Sequence, residues 1–114
     1  ETVGLLGTRF TMEEAFYRSV LETRFGLRVV VPSTEDRRLV DEVIFAELCR
    51  GVIAEESRKQ YLRIADSLAA QGCEAIILGC TEIALLLRPE DTDLKLYDTT
   101  EIHVQQAVAM MLEL

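Results

Sequence analysis

The stretch Ile76-Ile77-Leu78-Gly79-Cys80-Thr81-Glu82-Ile83 decides the reading of this chain. An apolar run stops at a glycine, and a thiol, a hydroxyl and a carboxylate follow in consecutive positions. With Ala75 in front, the run is wholly apolar and rich in β-branched residues, as expected of a central strand buried on both faces. The apolar pattern resumes over residues 83–87, which suits a short helix ending before Pro89. Cys80 is thus expected where a buried strand hands over to a helix. Unpaired N–H groups and the positive dipole end at such a junction stabilise an anion, which predicts a lowered thiol pKa. The competing reading is a buried structural cysteine, because free Cys is among the most buried residue types. The adjacent Thr81-Glu82 pair favours chemistry.

Working outward, residues 3–6 form a short apolar strand, and Gly7-Thr8-Arg9-Phe10-Thr11 a turn that leads into a helix. Thr11 and Glu14 have the spacing of a capping box. That predicts a helix from Met12 with Phe16, Val20 and Leu21 inward and Gly26 as its stop. Thr8 and Thr11 have two readings: plain capping, or hydroxyls beside a helix N-terminus that hold a small carboxylate. Residues 27–31 make a second buried strand. A helix then runs to about Arg50, with Leu39, Val40, Val43, Ile44 and Leu48 inward and Gly51 ending it. Residues 54–71 form the longest helix, with Tyr61, Ile64, Ala65 and Leu68 at helical spacing. Its Glu55, Glu56, Arg58, Lys59 and Arg63 read as a solvated face. Beyond the thiol turn come a polar loop over 88–93, a fourth strand over 94–97, and a final helix from Asp98 to about Glu113.

Strands too apolar to be half-exposed, alternating with helices, predict one α/β domain over residues 1–114 with a four-stranded parallel sheet. Right-handed crossovers and a doubly wound order, 2-1-3-4, make the first and third strands neighbours. Their carboxyl ends then bring Thr8 and Cys80, 72 residues apart in sequence, to one topological switch point.

Composition narrows the function classes. A net charge of −8, with ten Arg and two Lys, argues against nucleic acid and anionic membrane surfaces as partners. No apolar stretch approaches the roughly 18–20 residues of a membrane span. Glu1-Thr2-Val3-Gly4 carries neither an initiator Met nor the layout of a signal peptide, so the chain is expected to be a fragment. Cys49, Cys73 and Cys80 are an odd set without CxxC spacing, which disfavours disulfides and zinc and favours a reducing, cytoplasmic location. Cys49 and Cys73 read as packing residues. His103, the only histidine, excludes a His-rich metal site and reads as a helix-face residue.

With no G-x-G-x-x-G and no P-loop, dinucleotide and phosphate chemistry are unsupported. Carbon-acid proton transfer remains. A thiolate could remove an α-proton while N–H and hydroxyl donors hold the substrate carboxylate. Cofactor-free racemisation needs two bases, one on each face of the α-carbon, and this chain offers one.

The run Ile76 to Ile83 resembles the second cysteine signature of the aspartate/glutamate racemase family, with Ala84 a small departure. Other segments agree in order: Leu5-Leu6-Gly7-Thr8-Arg9-Phe10-Thr11-Met12, then Val43-Ile44-Phe45-Ala46-Glu47-Leu48-Cys49-Arg50-Gly51, then Asp98-Thr99-Thr100-Glu101-Ile102-His103. Glu after Cys-Thr is most like the aspartate-racemase branch. The resemblance implies a cofactor-independent, flavodoxin-like half of a two-half enzyme, here the C-terminal half. The first-half motif, Cys or Thr followed by Asn-Thr, is absent, and the sequence contains no asparagine.

The resemblance further implies that Cys80 is one of two acid/base residues and that Glu82 tunes it or relays its protons. Thr8 and Thr81 are then expected to contact the substrate's α-carboxylate or amine. Arg50 matches a basic residue that pairs with the side-chain carboxylate, although a charge at a helix C-terminus is also favourable to the dipole. The expected partners are an acidic amino acid, a missing N-terminal half and a second copy in a homodimer. Isolated, the chain is expected to be inactive. The alternatives are a hydantoin racemase, a decarboxylase of arylmalonate type, or a non-catalytic carboxylate-binding domain.

Overall fold

A computed structural model of the chain describes residues 2–98. The final helix expected beyond Asp98, and His103 with it, lie outside the described residues. Four strands, β1 (Thr2–Leu6), β2 (Arg28–Val30), β3 (Ala75–Leu78) and β4 (Lys95–Asp98), form a parallel sheet of order β2-β1-β3-β4. This is the predicted topology, and β1 lies beside β3 in the register Leu6↔Leu78. The helices are α1 (Arg9–Glu13), α2 (Ala15–Phe25), α3 (Thr34–Ala46), α4 (Glu55–Ala70) and α5 (Ile83–Leu86), with 3₁₀ turns at Leu48–Arg50 and Pro89–Asp91.

All four residues of β3 are buried, and their side chains alternate between two cores. Ala75 and Ile77 face a core with Val3, Leu5, Leu21 and Val29. Ile76 and Leu78 face a larger one with Tyr61, Ile64, Leu68, Ile83 and Leu86. Each fully buried isoleucine stabilises the fold by about 1.5–3 kcal/mol. Helices cover both faces, which makes the domain three-layered.

Local departures from the sequence reading have physical causes. The first helix starts at Arg9, not Met12, because Thr8 caps it: the Thr8 hydroxyl accepts the Thr11 N–H at 3.3 Å. The Thr11–Glu14 capping box does not form, and Glu14 (φ −76°, ψ 122°) divides α1 from α2. Met12 belongs to the larger core and Leu21 to the smaller, so the chain must turn between them. That turn leaves Phe16 exposed, contrary to its expected inward placement. Gly26, at φ 64°, closes α2 in the left-handed conformation that favours glycine. As an edge strand, β2 buries only Val29, short of the buried run expected. The helix expected to reach Arg50 ends at Ala46, and a separate turn places Leu48 in the core. Arg58 is not on a solvated face: its side chain donates from Nε to the Leu86 carbonyl at 2.9 Å and is also bonded to Glu55. It thereby satisfies a carbonyl at the C-terminal end of α5.

Candidate active site

The carboxyl ends of β1 and β3 meet where the sequence reading put the site. The Gly79 N–H donates to the Leu6 carbonyl at 2.6 Å, carrying the strand pairing one residue into the turn. Gly79 has to be small here: a Cβ would stand 3.0 Å from Thr11 Cγ2 and 3.1 Å from the Leu6 carbonyl oxygen. This close approach sets Cys80, the next residue, half-buried against the larger core.

The Cys80 thiol donates to the Glu82 carboxylate, Sγ to Oε2 2.9 Å. The Thr81 hydroxyl donates to the same oxygen at 3.2 Å. Burial, first, and then the Glu82 carboxylate push the thiol up to about 11. The Glu82 backbone N–H works the other way, and Glu82's charge and Cys49 add to the rise. The expected lowering of the thiol pKa is therefore overturned. A junction dipole favours a thiolate, but α5 is only four residues long, and a carboxylate in contact outweighs it. The thiol's hydrogen bond, with those of its own N–H and Thr81, holds Glu82 below the usual carboxylate range. Cys80 therefore rests as an acid holding its proton, with an ionised carboxylate beside it.

Thr8 stands at the end of β1, and its Oγ1 lies 3.2 Å from Thr11 Oγ1. Thr11 in turn packs on Gly79, so the two loops are linked through Thr11. Arg50 is exposed on the 3₁₀ turn that packs against α5, and it makes no ion pair among the described residues. Tyr61 is fully buried and donates its hydroxyl to the Val40 carbonyl at 2.8 Å. Burial first, then Cys80 once ionised at alkaline pH, and the carboxylates of Glu47 and Asp41, oppose ionisation of its phenol.

Cys73 is buried, in line with a packing role. Cys49 is exposed on Leu48–Arg50 and close enough for its charge to act on Cys80, so its reading as a packing residue is corrected. Helical spacing marked Tyr61 as an inward residue of α4, but it gave no signal for the electrostatic link between Cys49 and Cys80, which the packing of the 3₁₀ turn produces. Among the described residues no group of three or more His, Cys, Asp or Glu is placed to hold a metal ion. No helix among them is long and apolar enough to cross a membrane.

The chain that carries this half-buried thiol at a parallel-sheet switch point is similar to known proteins over most of its length. The family model for Asp/Glu/Hydantoin racemases matches residues 1–107. The chain belongs to that family. Within the Asp/Glu/Hydantoin racemase family, a Yersinia pestis structure described as a candidate Asp/Glu racemase is 46% identical, with a TM-score of 0.87. That match covers 97% of this chain and 48% of the other. An aspartate racemase homologue from Pyrococcus horikoshii OT3 is 35% identical, with a TM-score of 0.83, over 96% of this chain and 47% of its own. An uncharacterised protein encoded in the pnlA 3′ region of Pectobacterium carotovorum subsp. carotovorum is 34% identical over 88 residues, 77% of this chain and 57% of the relative. The chain thus spans about half the length of the racemase-family structures it matches.

Proposed function

We propose that this chain is one half of a cofactor-independent racemase of acidic amino acids, aspartate or glutamate, working by two-base proton transfer. The observation that carries the reading is the half-buried Cys80 thiol bonded to Glu82 at 2.9 Å, next to the carboxyl end of β1. A base from a second half takes the α-proton from one face of the substrate. Cys80 gives its own proton to the opposite face of the resulting carbanion, and the thiolate left behind serves as base in the reverse direction. Thr8 and Thr81 donate to the α-carboxylate or contact the amine, and Glu82 tunes the proton affinity of Cys80. Arg50, exposed and without an ion pair among the described residues, takes the side-chain carboxylate in a bidentate fork. That assignment favours an acidic side chain over a hydantoin.

In this reading the second half is an N-terminal partner; that the matched structures are about twice as long as this chain supports the existence of a further half. Phe10, Phe45 and Leu85 are exposed on α1, α3 and α5, and they support a covering surface from that half or from a second copy in a homodimer. Three free thiols support a reducing, cytoplasmic setting.

The test is solvent-deuterium incorporation at the α-carbon of aspartate, glutamate, a hydantoin and an arylmalonate by the complete two-half protein. Exchange on aspartate or glutamate, abolished by Cys80→Ala, is the expected result. Absence of exchange on any of them, with Cys80→Ala changing nothing, defeats the proposal; exchange confined to the hydantoin reassigns the substrate.

A further inference from the structure

We infer that Thr11 is a positioning residue whose methyl fixes the Cys80 turn and whose hydroxyl orients Thr8. Its kinetic consequence rests on the racemase reading above; its effect on the thiol does not. As the third residue of α1, Thr11 serves the helix cap through its backbone N–H alone, which any non-proline residue would supply. Its side chain is therefore left for another duty, and the contacts show which. A Cβ built on Gly7 would stand 3.2 Å from Thr11 Cβ and Cγ2, and one on Gly79 would stand 3.0 Å from Cγ2. The methyl is thus wedged across the two glycines that directly follow β1 and β3. Those glycines lie directly before Thr8 and Cys80.

The hydroxyl acts on the other side, 3.2 Å from Thr8 Oγ1. Thr8 Oγ1 already accepts the Thr11 N–H at 3.3 Å. When the Thr11 hydroxyl donates to it as well, the acceptor capacity of Thr8 is filled and its own proton is left for an anion. One side chain therefore sets both groups: Thr8 as a donor towards the crevice, and Cys80 at its distance from Glu82.

Two conservative variants separate these duties. Thr11→Ser keeps the hydroxyl and removes the methyl; Thr11→Val keeps both branches of the side chain and removes the hydroxyl. The first readout uses this chain itself: the pH profile of Cys80 alkylation by iodoacetamide, resolved from Cys49 and Cys73 by peptide mass. In Thr11→Ser the Gly79 turn loosens, the Cys80–Glu82 contact lengthens and the profile moves to lower pH, with alkylation at pH 8 several-fold faster. Thr11→Val leaves that profile in place. The second readout uses the complete two-half protein: Thr11→Val raises KM for an acidic amino acid about tenfold, the worth of one hydrogen bond to a charged group. Thr11→Ser acts mainly on kcat.

If both variants move the alkylation profile equally, or neither moves it, Thr11 does not position Cys80 and the inference fails. A split alkylation profile in a protein that racemises nothing upholds the positioning of Cys80 and defeats the racemase reading alone.

Discussion

Replacing Glu82 by Gln isolates the electrostatic control of Cys80. In the native site the carboxylate sits 2.9 Å from Sγ, and burial with this contact raises the thiol from 9.0 to about 11. Burial is the larger cause and survives the substitution, while the hydrogen bond to a carboxylate and its charge do not. The amide is neutral and can turn its N–H₂ towards a thiolate, so both changes favour the ionised thiol. Losing a like-charged carboxylate contact is worth on the order of one pH unit, or about 1.4 kcal/mol in proton affinity. At pH 8 this means about tenfold more thiolate and correspondingly faster alkylation, since the thiolate is the nucleophile. The assay is the rate of iodoacetamide labelling of the Cys80 peptide from pH 7 to pH 11.5, in the native chain and in Glu82→Gln. The Cys49 peptide in the same digest is an internal control, because Cys49 makes no bond to Glu82. An unmoved profile would show that Glu82 does not govern the thiol. A shift to higher pH would show that Glu82 favours the thiolate, and would sink the assignment of Cys80 as a resting acid.

Two further outcomes bear on the scaffold. Arg58→Met keeps the aliphatic stem but leaves the Leu86 carbonyl without the bond from Nε, and a lower urea midpoint equivalent to about 1–2 kcal/mol is expected. No change in midpoint would return Arg58 to the solvated face where sequence reading put it. Alkaline stability follows from Cys80 and Tyr61, whose ionisation is opposed in the folded state. A group raised on folding stabilises fully below its unfolded pKa, and that contribution disappears as pH rises towards its folded value. The urea midpoint should therefore hold to about pH 9, fall between there and about 11 through Cys80 with buried Cys73 acting in the same direction, and go on falling above about pH 10 through Tyr61. Cys80→Ser should flatten the first part of that fall.

The strand order and the position of the thiol were legible because both depend on long-range burial that composition reports directly. A wholly apolar Ala75–Leu78 has no solvated face, so it had to be central, and the β1–β3 adjacency followed from right-handed crossovers. What escaped the sequence was decided by competition between near-equal local choices. Thr8 and Thr11 both qualify as helix caps, and the turn after Gly7 selected Thr8. Phe16 fits a helical stripe, yet α1 and α2 feed opposite cores and its position faces outward. The direction of the Cys80 shift depends first on the depth of its burial and then on the Glu82 contact, and spacing reports neither. Residue spacing shows that Glu82 is two positions away, but not that its carboxylate turns back onto the thiol instead of leaving it to the helix end. Arg50 is exposed on the 3₁₀ turn that packs against α5, and the substrate panel tests its proposed pairing with a side-chain carboxylate.

The raised thiol also constrains the proposed reaction. Cys80 at about 11 is ionised in about one molecule in ten thousand at pH 7, so a cycle that needs it as base from rest carries about 5.5 kcal/mol of deprotonation cost. In the direction where Cys80 donates, the same proton is already in place. A racemase must run both ways with the same enzyme, so the substrate itself has to offset that cost. Glu82 indicates how. Its carboxylate is ionised and partly exposed, and an α-ammonium group paired with it would neutralise the charge that raises Cys80. The thiol would then fall towards the level set by burial alone, with the substrate already bound. By the same logic the base from the other half should be ionised at rest, because the two faces of the α-carbon need one proton donor and one acceptor at every instant.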